Sequence, residues 1–333
     1  MKIDSGDVPA DRPENQLLKF RIMKERNQII LKLLLTHILL PLGLVSATLL
    51  VKTDRFLMVS VSQIAVIILF LAGYWEFFTS RFKWIFFTGI ETLLLFTVGE
   101  RIYSNHNVPD TLMLNLILVV VLLYVVYILC NILRVIFKND PAGLEIEFPF
   151  KDGKYMITDG GNSKISRIMN YHFHSPVHKK RNTNNSMLYA TDIVRLSAGN
   201  HGFLPAANND YSVFGEKLYS PMGGIIVKVI NNLEDNIPYS GDYPYNTGNT
   251  IVIKNENYYL LLGHLMKGSI VVAQGDTIPA GEYVGKAGNS GMSERPHLHM
   301  QLMESADGDY WKGTGICIRY DNKNLFKNRL IQR

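Results

Sequence analysis

Cysteine is scarce in this chain: two residues in 333, Cys130 and Cys317. That excludes a disulfide framework and any cysteine-rich zinc site, so a metal here must be held by histidine and carboxylate side chains. Cys130 lies inside an apolar run and Cys317 far outside it, and the two are not expected to pair. Charge of one sign is scarce as well. The 34 Lys and Arg against 29 Asp and Glu leave a formal net charge of only +5, and no Lys/Arg-rich block is interleaved with aromatics. Nucleic acid is therefore not an expected partner. Long amphipathic helical patterns are missing beyond Asp140, which leaves the C-terminal part to be built from strands.

What the chain has in abundance is unevenly spread. Hydrophobic residues make up 47% of it and the mean hydropathy is +0.06, an average over two very different parts. Residues 28–138 are dominated by Leu, Ile, Val and Phe, with four apolar stretches at 28–51, 56–75, 84–99 and 111–137. Each approaches or exceeds the roughly 20 residues a helix needs to cross a bilayer. The expectation is a multi-pass region of about four transmembrane helices in the cell membrane, with lipid as its partner. The first stretch is too long, and too closely followed by a second, for a cleaved signal peptide. His37 and Glu91 interrupt the apolar runs, but too little polar material accompanies them for a transport path. The region reads as an anchor.

Residues 1–27 form a basic tail with Lys2, Arg12, Lys19, Arg21, Lys24 and Arg26, which places the N-terminus in the cytoplasm. Four crossings would return the C-terminal part to that same side. The loops agree, with Arg81, Lys83, Arg134 and Lys138 inside against Lys52, Arg55 and Arg101 outside. An extracytoplasmic C-terminal domain needs an odd number of crossings, and 84–99, short and carrying Glu91, is the weakest span.

From residue 139 to 333 the pattern changes to short alternating segments bounded by Gly, Asn, Asp and Pro. Examples are Gly224–Ile230, Asn249–Lys254, Tyr258–Leu262 and Ser269–Ala273. Period-two alternation between turn residues reads as an all-β, mainly antiparallel domain. Within it, His297 and His299 stand two apart, so a strand would project both imidazoles from one face. That arrangement can set one nitrogen on a metal and another beside a substrate. Zinc hydrolases use three protein ligands and keep a fourth position for water.

The surrounding run is Gly285-Lys-Ala-Gly288-Asn289-Ser290-Gly291-Met-Ser293-Glu-Arg-Pro296-His297-Leu-His299. Here the sequence resembles the lysostaphin/LytM-type zinc endopeptidases, which cut cell-wall peptide cross-links. Upstream, Tyr219-Ser-Pro221 with Gly224, Asn246–Ile253, Gly263-His264-Leu265, and Gly268 through Gly275, Asp276 and Gly281 are similar to successive family segments. Leu262 and Gly263 stand where the family has Tyr and Ala. The resemblance covers about residues 155–330. It implies a zinc cofactor, His299 and Asp192 as metal ligands, and His264 and His297 as the catalytic pair acting on water and oxyanion. It also implies a peptidoglycan peptide, or another extended peptide, as substrate.

The departure is at the first ligand. The common family form, H-x-x-x-D, would put histidine at position 188, where this chain has Leu188. The chain resembles instead a branch with an upstream N-x-H segment, here Asn170-Tyr-His172, and His172 becomes the candidate third ligand, with His174 and His178 as alternatives. Without a third ligand the domain would be an inactive LytM-like module that binds cell wall or regulates a partner hydrolase. A further alternative, suited to a cytoplasmic domain, is a peptidase that matures a secreted peptide.

Overall fold

A computed structural model describes residues 13–50, 55–78, 80–104, 112–138, 143–162, 168–173, 185–196, 204–241, 243–244 and 246–333. The first part is helical. Helix α1 (Pro13–Leu33) runs through a π-helical turn (Leu34–Leu39) into α2 (Leu40–Leu50), and α3 (Arg55–Ala72), α4 (Ser80–Ser104) and α5 (Leu112–Phe137) follow. All four apolar stretches are thus helical, but among the described residues only two helices are long and apolar enough to cross a membrane. They are Asn15–Leu49 and Leu112–Phe137, where about four were expected. The apolar part of α3, Phe56–Ala72, is about 26 Å long at 1.5 Å per residue, short of a ~30 Å hydrocarbon core. Helix α4 carries Glu91 in its middle and Arg81, Lys83, Glu100 and Arg101 towards its ends. His37, in the π turn, is buried. Its Nδ1 lies 2.8 Å from Thr36 Oγ1, and its Nε2 accepts from the backbone N–H of Tyr74 at 3.1 Å.

The second part is built on one nine-stranded sheet. Its strands are β1 (Lys154–Asp159), β2 (Thr191–Arg195), β3 (Gly224–Ile230), β4 (Asn249–Asn255), β5 (Tyr258–Leu265), β6 (Thr277–Ile278), β7 (Leu298–Glu304), β8 (Thr314–Ile316) and β9 (Leu330–Gln332). The spatial order is β9-β1-β2-β7-β5-β4-β3-β6, with β8 also pairing to β7. Every pairing in this sheet is antiparallel. Strand β5 shows why the sheet is stable. Its residues alternate between two apolar layers, Leu260 and Leu262 in the main core and Tyr259 and Leu261 in a smaller one with Val252 and Met303. Ser269–Ala273, expected as a strand, is not one. Its backbone bonds go partly to a side chain instead: Ile270 N–H donates to Asn231 Oδ1, and Asn231 Nδ2 donates back to Ile270 O. Neither cysteine is in a disulfide.

The two parts touch at one end of the helical bundle. Val135 near the end of α5 packs against Gly161 and, with Ala72 and Ile132, against Met169. Asn328 Nδ2 donates to the carbonyls of Leu71 and Gly73 where α3 ends. Glu25, in α1, lies against Gly241. The basic helix α1, the α3–α4 turn and the end of α5 therefore all meet the β part from the same side.

Candidate functional site

Strand β7 lies between β2 and β5, and His299 has Asp192 opposite it on one neighbour and Gly263 on the other. Cross-strand neighbours of this kind stand ~4.5–5.5 Å apart, close enough for their side chains to meet. His299 Nδ1 lies 3.0 Å from Asp192 Oδ1. Its Nε2 lies 3.1 Å from Gln301 Oε1, an amide oxygen that can accept the Nε2 proton; Nδ1 then donates to Asp192 in the protonated ring, or offers its lone pair to a metal in the neutral one. His297 precedes the strand rather than sitting in it, yet its Nε2 comes within 3.7 Å of the same carboxylate oxygen.

His172 arrives from a separate element. The segment is a 3-10 turn, Tyr171–Phe173; the alternatives His174 and His178 lie outside the described residues. Asn170, fully buried, donates from Nδ2 to the carbonyls of Gly161 and Ala190. Its Oδ1 accepts from His172 N–H and faces His172 Nδ1 at 2.9 Å. Held this way, the ring presents Nε2 to Asp192 Oδ2 at 3.6 Å. One ligand atom each from His172, Asp192 and His299 lies within 4.8 Å of the others. Donor atoms ~2.0–2.2 Å from a tetrahedral ion stand roughly 3.3–3.6 Å apart, so two imidazoles and one carboxylate fit zinc in chemistry and would draw in from this 4.8 Å spread to hold it.

His264 completes the cluster by a break in regularity. Between Leu262, opposite Ile251, and Leu265, opposite Asn249, strand β5 carries an extra residue, and His264 sits at φ +60°. A bulge of this sort re-aims a side chain that alternation would send elsewhere. The His264 and His297 ring centroids are 4.8 Å apart, and those of His264 and His299 are 5.5 Å apart. His264 Nδ1 faces the Ser290 carbonyl at 2.8 Å, and His297 Nδ1 faces that of Arg295 at 2.8 Å. A carbonyl can only accept, so each Nδ1 carries the proton and each Nε2 is left with a lone pair. The Gly-Asn-Ser-Gly run makes this loop possible. Gly291 has φ +75°, and a Cβ there would stand 2.2 Å from the backbone N of Gly248.

Electrostatics separate the two groups. Burial alone would push the Asp192 carboxyl up, but His172, His297 and His299 outweigh it and hold the group well below the usual carboxylate range. Burial, and then the neighbouring His297 and His299, push His264 well below the ordinary imidazole value. Burial lowers His297 too, against the attraction of Asp192. His299 moves the other way: burial opposes it, but its hydrogen bond to Asp192 raises it.

Several supporting residues escape a reading of the sequence alone. Gln301 could have been found, because period two on a strand puts it on the face of His299. Asp159 carries no local signal. It pairs across the sheet with Asp192 and accepts from Tyr171 N–H at 2.9 Å, which fixes the turn bearing His172. Burial, against the opposing charge of Lys327, raises its carboxyl to about 6.

Comparison with known proteins converges on the same part of the chain. Residues 210–311 match Peptidase family M23, a segment that contains His264, His297 and His299 but neither His172 nor Asp192. Over 100 residues the chain is 29% identical to the peptidoglycan DD-endopeptidase ShyA of Vibrio cholerae, covering 30% of this chain and 20% of that protein. The chain thus spans about a fifth of the length of this curated relative. Similar solved structures include a zinc-containing peptidase from Vibrio cholerae, 20% identical, covering 52% of this chain and 39% of that one with a TM-score of 0.30. Lysostaphin from Staphylococcus simulans is 24% identical, with 31% and 38% covered and a TM-score of 0.24. The family match within the β part and the ShyA similarity together support a domain of Peptidase family M23 there.

Proposed function

We propose that the chain is a membrane-anchored zinc metalloendopeptidase that hydrolyses peptide bonds in peptidoglycan cross-bridges. In this reading residues 1–27 are a basic tail, 28–138 the membrane region and 139–333 the peptidase domain. The observation that carries it is the group of His172, Asp192 and His299 around one point, with the Nε2 of His297 turned towards the same carboxylate. Zinc held there would supply a Lewis acid for the scissile carbonyl and lower the pKa of water. His264 and His297, kept neutral at pH 7 by burial, can each accept a proton at Nε2 from an attacking water. Once protonated, either ring becomes a donor for a developing oxyanion or a leaving amine. The ShyA resemblance supports a peptidoglycan peptide as substrate.

A second reading is favoured by one specific observation. The basic helix α1 and the β part lie at the same end of the bundle, together with Arg81, Lys83, Arg134 and Lys138. By the positive-inside rule this end faces the cytoplasm, which suits a peptidase that matures a secreted peptide. A topology reporter fused after Arg333 separates the two: an extracytoplasmic signal supports the wall substrate, a cytoplasmic signal the peptide one.

The enzyme itself is tested by metal analysis and turnover of the full chain. About one zinc per chain is expected. His299→Ala and His172→Ala should lose zinc and activity together. His264→Ala and His297→Ala should keep zinc and lose about two to four orders of magnitude in rate. A wild-type chain without stoichiometric zinc at neutral pH sinks the proposal.

A further inference from the structure

The turn between α3 and α4 reaches the loop that carries His297. It is a 3-10 turn, Trp75–Phe77, anchored on both sides. On the helical side, Tyr74 N–H donates to His37 Nε2 and Trp75 Nε1 to Leu69 O. Gly73 allows the close approach, since a Cβ there would stand 2.6 Å from Leu69 O and 2.8 Å from His37 Nε2. On the β side, Asn328 Nδ2 holds the carbonyls of Leu71 and Gly73, and the buried Lys327 ammonium lies 3.9 Å above the Tyr74 ring.

At the tip of this turn, Glu76 Oε1 accepts from Arg295 Nη2 at 2.9 Å, the two side chains being 6% and 19% exposed. The Arg295 guanidinium also lies 4.8 Å over the Phe77 ring. Arg295 is itself the backbone partner of His297. Its carbonyl accepts the His297 Nδ1 proton at 2.8 Å and a hydrogen bond from Ser293 Oγ at 2.9 Å. Pro296 stands between the two residues and restricts the backbone on both sides. A guanidinium clamped by a carboxylate and an aromatic face therefore fixes the carbonyl that sets the tautomer and angle of His297.

We propose that Glu76, from the helical part, is a positioning residue for His297: it clamps Arg295, and Arg295 holds the imidazole. This rests on the reading of His297 as a catalytic group. The helical part then completes the site, as well as anchoring the chain.

The test uses the full chain in lipid nanodiscs. Glu76→Gln keeps the shape and removes the charge. The expected result is a fall in kcat of about ten-fold or more, with KM within about two-fold and zinc content unchanged. Arg295→Gln should fall similarly, and the double variant no further than the lower single one. A second readout does not depend on turnover. Amide hydrogen exchange over residues 293–299 should accelerate in Glu76→Gln, while exchange in β4 stays at the wild-type rate. If the wild type cuts no peptide, the proposed function fails, and the exchange comparison still decides this inference. Should Glu76→Gln unfold the chain, Arg295→Lys keeps the charge but loses the planar contact, and is read in the same two ways. Unchanged exchange over 293–299, or unchanged kcat in a chain that turns over, would overturn the proposal.

Discussion

The two parts of this molecule use the same apolar residue types and place them in opposite directions. In the helical part Phe96, Val120 and Leu123 are 68%, 66% and 65% exposed, whereas in the β part Ile251, Leu260 and Leu262 are completely buried. Polar side chains buried within the helices, such as Thr48 and Thr97, are satisfied by carbonyls three residues back. Water around the β part drives its apolar atoms inward. In lipid, the outward Leu and Val would lose nothing and the helical backbone would satisfy itself. The same residue types thus take opposite positions in the two parts.

The widest gap between the parts is expected in core truncations. Leu260→Ala should destabilise the β part by about 2–5 kcal/mol, whereas Leu123→Ala in lipid should stay within about 0.5 kcal/mol. Thermal unfolding of the two variants in nanodiscs reads this directly. Equal losses would mean that Leu123 packs against protein, and the contrast drawn above would fall.

A smaller difference separates two asparagines. Asn170 orients His172 through Oδ1, while Asn131 in α5 donates only to a carbonyl of its own helix, that of Tyr127. Asn170→Ala should weaken zinc binding by about 10–100-fold, the usual cost of losing a partner of a metal-ligating imidazole. Asn131→Ala should leave it unchanged. Competition with a chelating dye measures both, and an Asn170→Ala chain with wild-type affinity would remove the orienting role.

The smallest expected effect is on pH dependence. Unfolded histidine titrates near ~6.5, and His264 and His297 have lower values in the fold. Below ~6.5 the unfolded chain binds protons that these buried rings refuse. Their contribution is thus fully present above that pH and lost as pH falls towards the folded values. His299, raised in the fold, acts in the opposite sense, but one group stands against two. Asp192 is depressed and would act only below its unfolded value of ~3.9. The metal-free chain should therefore unfold at lower urea at pH 5.5 than at pH 7.5, and His264→Gln should flatten that difference. An equal slope in wild type and variant would assign the pH dependence elsewhere.

Much of this was legible in one dimension because it is local. Apolar run length, alternation in β5 and the His297–His299 spacing each depend on neighbours a few residues apart. Where non-local pairing intervenes, reading from the sequence missed. The Ser269–Ala273 segment alternates like a strand, but Asn231, far away in the chain, takes its backbone bonds. The 3-10 turn bearing His172 is likewise held by a distant residue, since Asp159 accepts from Tyr171 N–H, with Asn170 accepting from His172 N–H. Apolar content alone also overstated the spans: α3 is short, and α4 is interrupted by charge, the weakness Glu91 already marked in the sequence.

By itself, then, the sequence separated an apolar part, with runs of helix length, from a part built as antiparallel β-structure. It also determined that any metal would be held by histidine and carboxylate, since two cysteines cannot make a cysteine-rich zinc site, while the family resemblance pointed to His299. Only the tertiary structure decided that His172 faces Asp192 from a separate turn, that a bulge swings His264 beside His297, and that Glu76 reaches Arg295 across 219 residues of chain. Such contacts depend on how distant elements pack, and packing energies are shared among many residues rather than written at any one of them.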